Sequence, residues 1–141
     1  MATTMQNPAF MATTTNAPRT KTMVYRIATG LFCLQMSFTA FAQLRVPAVA
    51  AAFAHYGFPD YFRVELAWTK VLGILLLLAP VPARLKEWAY AGFAINIGSA
   101  FVVHFAMGEG LAAWMPAIGT SVVWGLSYYF WRRLESTRAS D

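Results

Sequence analysis

Four stretches of the chain are apolar over bilayer-spanning lengths, and shorter polar or proline- and glycine-bearing segments separate them. Residues 24–44 form the first: about 20 residues, at 1.5 Å rise each, cross a hydrocarbon core about 30 Å thick. The second covers residues 61–79 and stops at Pro80 and Pro82. The third covers 87–107 and stops at Gly108-Glu109-Gly110. The fourth covers 115–131, with Pro116 tolerated in its first turn, and ends at Tyr128-Tyr129-Phe130-Trp131 before Arg132 and Arg133. Aromatics beside a basic cluster fit an interfacial belt.

Between the first two spans, Val49, Ala52, Phe53 and Tyr56 recur at helical spacing and predict a short helix lying at the interface. Gly57 can adopt the left-handed conformation that ends such a helix, and Pro59 cannot continue one. Asp60 then sits in the first turn of the next helix, where the macrodipole favours an anion.

Composition points the same way. The 141 residues are 58% hydrophobic and 12% charged, with a mean hydropathy of +0.48. A soluble domain carries about a quarter of its residues charged. The net charge of +5 lies in turns and termini without a basic stripe, which excludes nucleic acid as the partner. Lysines and arginines sort by side: Arg19, Lys21, Arg26, Arg84, Lys86, Arg132, Arg133 and Arg138 fall on one, and Arg45 and Arg63 on the other. The richer side is cytoplasmic. The expected fold class is therefore all-α: an integral membrane four-helix bundle over residues 23–134, with N and C termini cytoplasmic.

Residues 1–22, rich in Thr and Ala with no acid, are expected to form a disordered extension. Met23 opens the apolar region, so this extension also reads as translation from a start upstream of the real one. Residues 135–141 are expected to be a cytoplasmic tail. The first span ends in Ala40-Phe41-Ala42, the layout of a cleavable signal peptide, but it exceeds a signal core of about 7–15 residues and is read as a span.

Charge inside a span is costly and usually has a reason. Lys70 lies about 14 Å into the second span at 1.5 Å per residue. Glu65 lies five residues earlier, about 140° around the helix, so the two do not pair directly. Asn96 and His104 on the third span are about 80° apart and suit one wall of a cavity. Gln43 and His104, at the outer ends of the first and third spans, lie at a depth similar to Glu65 and Lys70, and Gln35 and Asn96 lie nearer the middle. The inner half holds almost no polar group away from its interface. This segregation predicts a site opening toward the outer leaflet. Snorkelling of Lys70 and an interfacial His104 are the bland alternatives.

Other chemistries find no footing. The lone Cys33 excludes an internal disulfide and paired-thiol motifs. Haem ligation would need two facing histidines, and His55 falls in the connection. No Ser-His-Asp set, phosphate loop or His-x-x-x-His metal spacing is present, so no catalytic residue and no metal site are assigned. Ala94 with Gly98, and Ser121 with Gly125, have small-xxx-small spacing.

The segments Gly57-Phe58-Pro59-Asp60-Tyr61-Phe62, Glu65-Leu66-Ala67-Trp68-Thr69-Lys70 with Gly73, Pro80 with Pro82, and Lys86-Glu87-Trp88-Ala89-Tyr90-Ala91-Gly92, followed by His104, resemble the DoxX-like family of small bacterial membrane proteins. The resemblance covers residues 24–133. It implies a four-helix bundle in the cytoplasmic (inner) membrane. Founding relatives are linked to a thiosulfate:quinone oxidoreductase, others to membrane complexes that handle oxidative or thiol stress. Glu65 and Lys70 match the family's charged positions, while the single cysteine departs from a thiol-based role.

The resulting expectation is an accessory or quinone-interacting subunit of a membrane oxidoreductase system. Glu65, Trp68, Lys70, Asn96 and His104 form its ligand site: Lys70 and His104 donate to quinone carbonyls and Trp68 stacks on the ring. No covalent cofactor is expected. Expected partners are the bilayer, a soluble or membrane oxidoreductase and a second copy of the chain. The alternative is a non-catalytic assembly or lipid-organising protein whose buried charges only fix helix packing.

Overall fold

A computed structural model describes the backbone of residues 8–140 and the side chains of residues 19–140. Among these residues the chain is all-helical: α1 (Pro8–Arg45), α2 (Pro47–His55), α3 (Asp60–Leu78), α4 (Ala83–Ala106) and α5 (Leu111–Arg138). The four long helices pack in a ring, α1 against α3 and α5, and α4 against α3 and α5. Neighbours run antiparallel: Gln35 meets Thr120 while Thr29 meets Ser127, and the Tyr90 ring meets Trp131 while Phe101 meets Trp114 edge-on.

The helices outrun the apolar stretches that announce them. Residues 8–22, expected to be disordered, are helical, as are 135–138 of the expected tail; residues 1–7 and Asp141 lie outside the described residues. Propagating an existing helix is far easier than nucleating one, so a helix nucleated in an apolar run continues into polar sequence. For the same reason α4 begins at Ala83, with Pro82 as its cap, and Glu87 is interior. Its carboxylate does not serve the helix start; it accepts from Arg132 Nη1 of α5 at 3.1 Å. Helix α5 begins at Leu111, which places Pro116 inside the helix rather than in its first turn.

The connection between α1 and α3 follows the sequence closely. Gly57 ends α2 with φ +82°, Pro59 caps α3, and Asp60 opens it. No residue of α2 is buried. The α1–α2 corner has a definite cause. Val46, held extended by the following proline (φ −95°, ψ 113°), breaks the helix. Pro47 has no N–H, so the Gln43 carbonyl four residues earlier lacks its in-helix donor. Arg63 of α3 supplies one: its Nη1 donates to that carbonyl, while its Nε donates to Asp60 Oδ1 at 2.9 Å.

Inside the ring, Phe32, Cys33 and Met36 of α1 meet Ile74 and Leu77 of α3, Tyr90, Phe93 and Ile97 of α4, and Trp131 of α5. Phe32 and Phe93 form an edge-to-face pair with centroids 4.9 Å apart. Gly73 makes room for it: a Cβ there would lie 2.7 Å from the Phe93 ring. At Gly98 and Gly125, members of the small-xxx-small pairs, a Cβ would meet nothing within 4 Å; neither is a point of close helix approach.

The outside of the ring is apolar as well. Leu31, Leu34 and Phe38 on α1, Tyr61, Trp68, Leu72 and Leu75 on α3, Ile95, Val102 and Phe105 on α4, and Met115 and Val122 on α5 are exposed. Water-soluble monomers rarely expose contiguous apolar patches beyond a few hundred Å². Two segments, 19–45 and 83–106, are long and apolar enough to cross a membrane by length and composition. Helix α3 carries Arg63, Glu65 and Lys70 among its apolar residues, and α5 intersperses Trp114, Thr120, Ser121, Trp124 and Ser127.

Candidate functional site

A half-open cavity of about 1040 Å³ lies between α3 and α4, and residues of α2 close one end. On α4 it runs from Trp88 to His104, sixteen residues or about 24 Å at 1.5 Å each. Its walls are mainly apolar. Lys70, Gln43, Asn96, Tyr56 and His104 supply polar groups toward the α2 end and the middle, and Phe53, Phe58 and Phe62 close the end as a chain of ring contacts.

Lys70 is only 8% exposed. Its Nζ donates to Gln43 Oε1 at 3.1 Å, which ties α3 to α1. No ion pair reaches it among the described residues. Its side chain is thus buried in the bundle, which removes the snorkelling alternative. Asn96 is half-buried across the groove, and its amide makes no hydrogen bond among the described residues. The register follows from Gly73 and Phe93, which touch: three residues along each antiparallel helix place Lys70 and Asn96 at one level.

At the α2 end His104 does not stand alone. Glu109, in the turn before α5, takes His104 Nδ1 on Oε2 and the Tyr56 hydroxyl on Oε1 at 3.0 Å. Gly108, with φ +63°, turns the backbone so that Glu109 folds back toward His104. Trp114 Nε1 donates to the Glu109 carbonyl at 3.2 Å. The result is a clasp fastening α2 to the α4–α5 turn. His104 chiefly, with Tyr56 adding to it, holds the Glu109 carboxyl below its ordinary range; burial and then Glu109 push the Tyr56 phenol up.

Since the folded carboxyl titrates below its unfolded value of about 4.3, the clasp contributes above that pH and is lost as pH falls through the lower folded value. Hydrogen exchange should read this out. Relative to their intrinsic exchange rates, amides of α2 are expected to be equally protected at pH 7 and pH 5.5 and to lose protection only in the acid range. At pH 7, Tyr56→Phe is expected to speed them by about 2–10-fold, the worth of one such bond. Unchanged α2 exchange in Tyr56→Phe would show that the clasp does not hold the helix.

Of the five site residues expected from sequence, three line the cavity together: Lys70, Asn96 and His104. Glu65 and Trp68 do not. Trp68 is 60% exposed and Glu65 is exposed, on the outward stripe that also carries Tyr61 and Leu75. Five residues turn a helix about 140°, so a stripe holding Glu65 faces away from Lys70. Trp68 is therefore not placed to stack on a ligand beside Lys70.

Tyr56 and Glu109 were missed. Tyr56 reads as one apolar position of α2, and Glu109 as part of a helix stop; an acid between two glycines five residues after a histidine was the available signal. Nor are polar groups confined to one half. In the half nearer the Pro80–Pro82 turn, buried Ser127 joins Thr29 Oγ1 and Tyr90 Oη, each at 2.7 Å, and Trp124 Nε1 donates to the Tyr90 carbonyl at 3.2 Å. Hydroxyls escape a search for charges and amides because they also pack as small apolar groups.

An all-helical ring with an apolar exterior, two membrane-capable helices and a cavity built around a buried lysine has the features of a helical membrane protein. The sequence profile of the DoxX-like family matches residues 27–126, and the chain belongs to that family. No curated protein and no solved structure matches the chain.

Proposed function

We propose that the protein spans the bacterial cytoplasmic membrane four times, with both termini inside, and binds a bilayer-dissolved amphiphile in the α3–α4 cavity. The apolar exterior of all four long helices and the sorting of lysines and arginines to one side support the four spans. One observation carries the ligand reading: a buried lysine and an unbonded amide face a mainly apolar cavity. Specific small-molecule sites combine a largely apolar lining with a few placed polar groups. In this reading a quinone-type head group accepts from Lys70 and Asn96 while its tail follows the apolar walls. The protein then serves as an accessory subunit of a membrane oxidoreductase system.

Organic extraction of the purified protein is expected to release a quinone, and a short-tailed quinone is expected to raise the melting temperature of the wild type but not of Lys70→Ala. An extract free of quinone, with equal thermal shifts for both proteins, would sink the proposal. The Lys70–Gln43 bond favours a second reading, in which the polar groups serve only to lock α1 to α3.

A further inference from the structure

We infer that the cavity selects an anionic head group on a single chain, a long-chain monocarboxylate, with its carboxylate between Lys70 and Asn96 and its chain running toward Trp88. The inference rests on the amphiphile reading above: the same site takes a carboxylate head group in preference to a neutral quinone.

The chain has six acidic residues. Asp60 is bound to Arg63, Glu87 to Arg132, Glu109 to His104 and Glu135 to Arg138. Glu65 is exposed on the outward face of α3, and Asp141 is the last residue of the chain, outside the described residues. No described carboxylate is left to approach Lys70, whose one hydrogen-bond partner among the described residues is a neutral amide oxygen. An ammonium carries three donors, so two have no partner. A charge taken out of water is tolerated when a counter-charge and further hydrogen bonds accompany it, and here the cavity is the side from which one can come.

Shape agrees with charge. Lys70 and Asn96 stand level on opposite walls, one cationic and one with an unused amide, so the polar groups an anionic head would need line the same stretch of the cavity. Beyond them, toward the Pro80–Pro82 turn, the walls are Leu72, Gly73, Leu76, Phe93 and Trp88, with no polar side chain. The level of Trp88 is eight residues from Asn96, about 12 Å along α4. The buried Phe93 ring packs on Gly73 and edge-on to Phe32, on the side of the cavity that faces the core. At the other end Glu109 is held by Tyr56 and His104, so its negative charge does not reach into the Lys70 level.

The test compares three probes on the full-length protein in nanodiscs of zwitterionic phospholipid: dodecanoate, methyl dodecanoate and a short-tailed neutral benzoquinone, at equal mole fractions in the bilayer. Binding is read from the rise in melting temperature and from calorimetry. Dodecanoate is expected to bind at least about tenfold more tightly than its ester, the value of a hydrogen bond to a charged group. Lys70→Met is expected to stay folded, with a slightly lower melting temperature, and to lose that preference; Lys70→Arg is expected to retain it, and Asn96→Leu to reduce it in part. Equal binding of acid and ester by the wild type, which requires no variant to fold, overturns the inference. So does a preference that survives in Lys70→Met. Binding of the benzoquinone alone overturns the inference and leaves the amphiphile reading standing, whereas binding of none of the three overturns both.

Discussion

Replacing Gln43 by leucine is expected to cost about 2–3 kcal/mol of stability, more than removing the lysine it serves. The variant keeps the Lys70 charge buried and takes away its one described partner. Lys70→Met removes the charge and leaves only the neutral, buried Gln43 amide oxygen without a donor, so it is expected to cost about 1 kcal/mol, and replacing both partners together less still. Reversible unfolding of both single variants and of the double variant in one detergent closes the cycle. The double variant should recover most of what Gln43→Leu loses. Equal, additive costs would mean that the bond between α1 and α3 carries no charged-group penalty.

Gly73→Val is expected to lower stability by about 1–3 kcal/mol, the usual cost of forcing atoms into a packed core. The added carbon would start 2.7 Å from the Phe93 ring, and that ring is edge-on to Phe32, so it has no free direction inside the core. It can only swing toward the groove, which would also weaken ligand binding. Gly98→Ala is the control: a Cβ there meets nothing within 4 Å, and the change is expected to be neutral or slightly stabilising. Thermal unfolding with and without dodecanoate separates the two effects, and a Gly73→Val protein as stable as the wild type would show that Phe93 does not depend on that gap.

Much of the helix order was legible because breakers are local. Gly57, Pro59, Pro80, Pro82 and Gly108 mark their interruptions by backbone chemistry alone, and the short α2 follows from the spacing of Val49, Ala52, Phe53 and Tyr56. Helix ends were not legible, because hydropathy reports where a helix meets lipid while hydrogen bonding carries it further, as at Leu134–Arg138. Facing was the harder question. In a ring that is apolar both inside and out, periodicity gives little contrast, so Trp68 and Glu65 could be set beside Lys70 by proximity in sequence although they lie on the far side of the helix. The depth of Lys70 was readable from counting; its partner Gln43, 27 positions away, was not.

The corner between α1 and α2 gives the cavity its closed end, and that corner begins with a single missing hydrogen. Were position 47 alanine, its amide could bond the Gln43 carbonyl, Arg63 would be released, and the helix would be free to run straight on. The aromatic cap formed with Phe53 and Tyr56 would then be carried away from α3 and α4, and a cleft closed at one end would become a groove open at both. Whether this protein has a container or only a furrow is thus decided by one residue that lines neither.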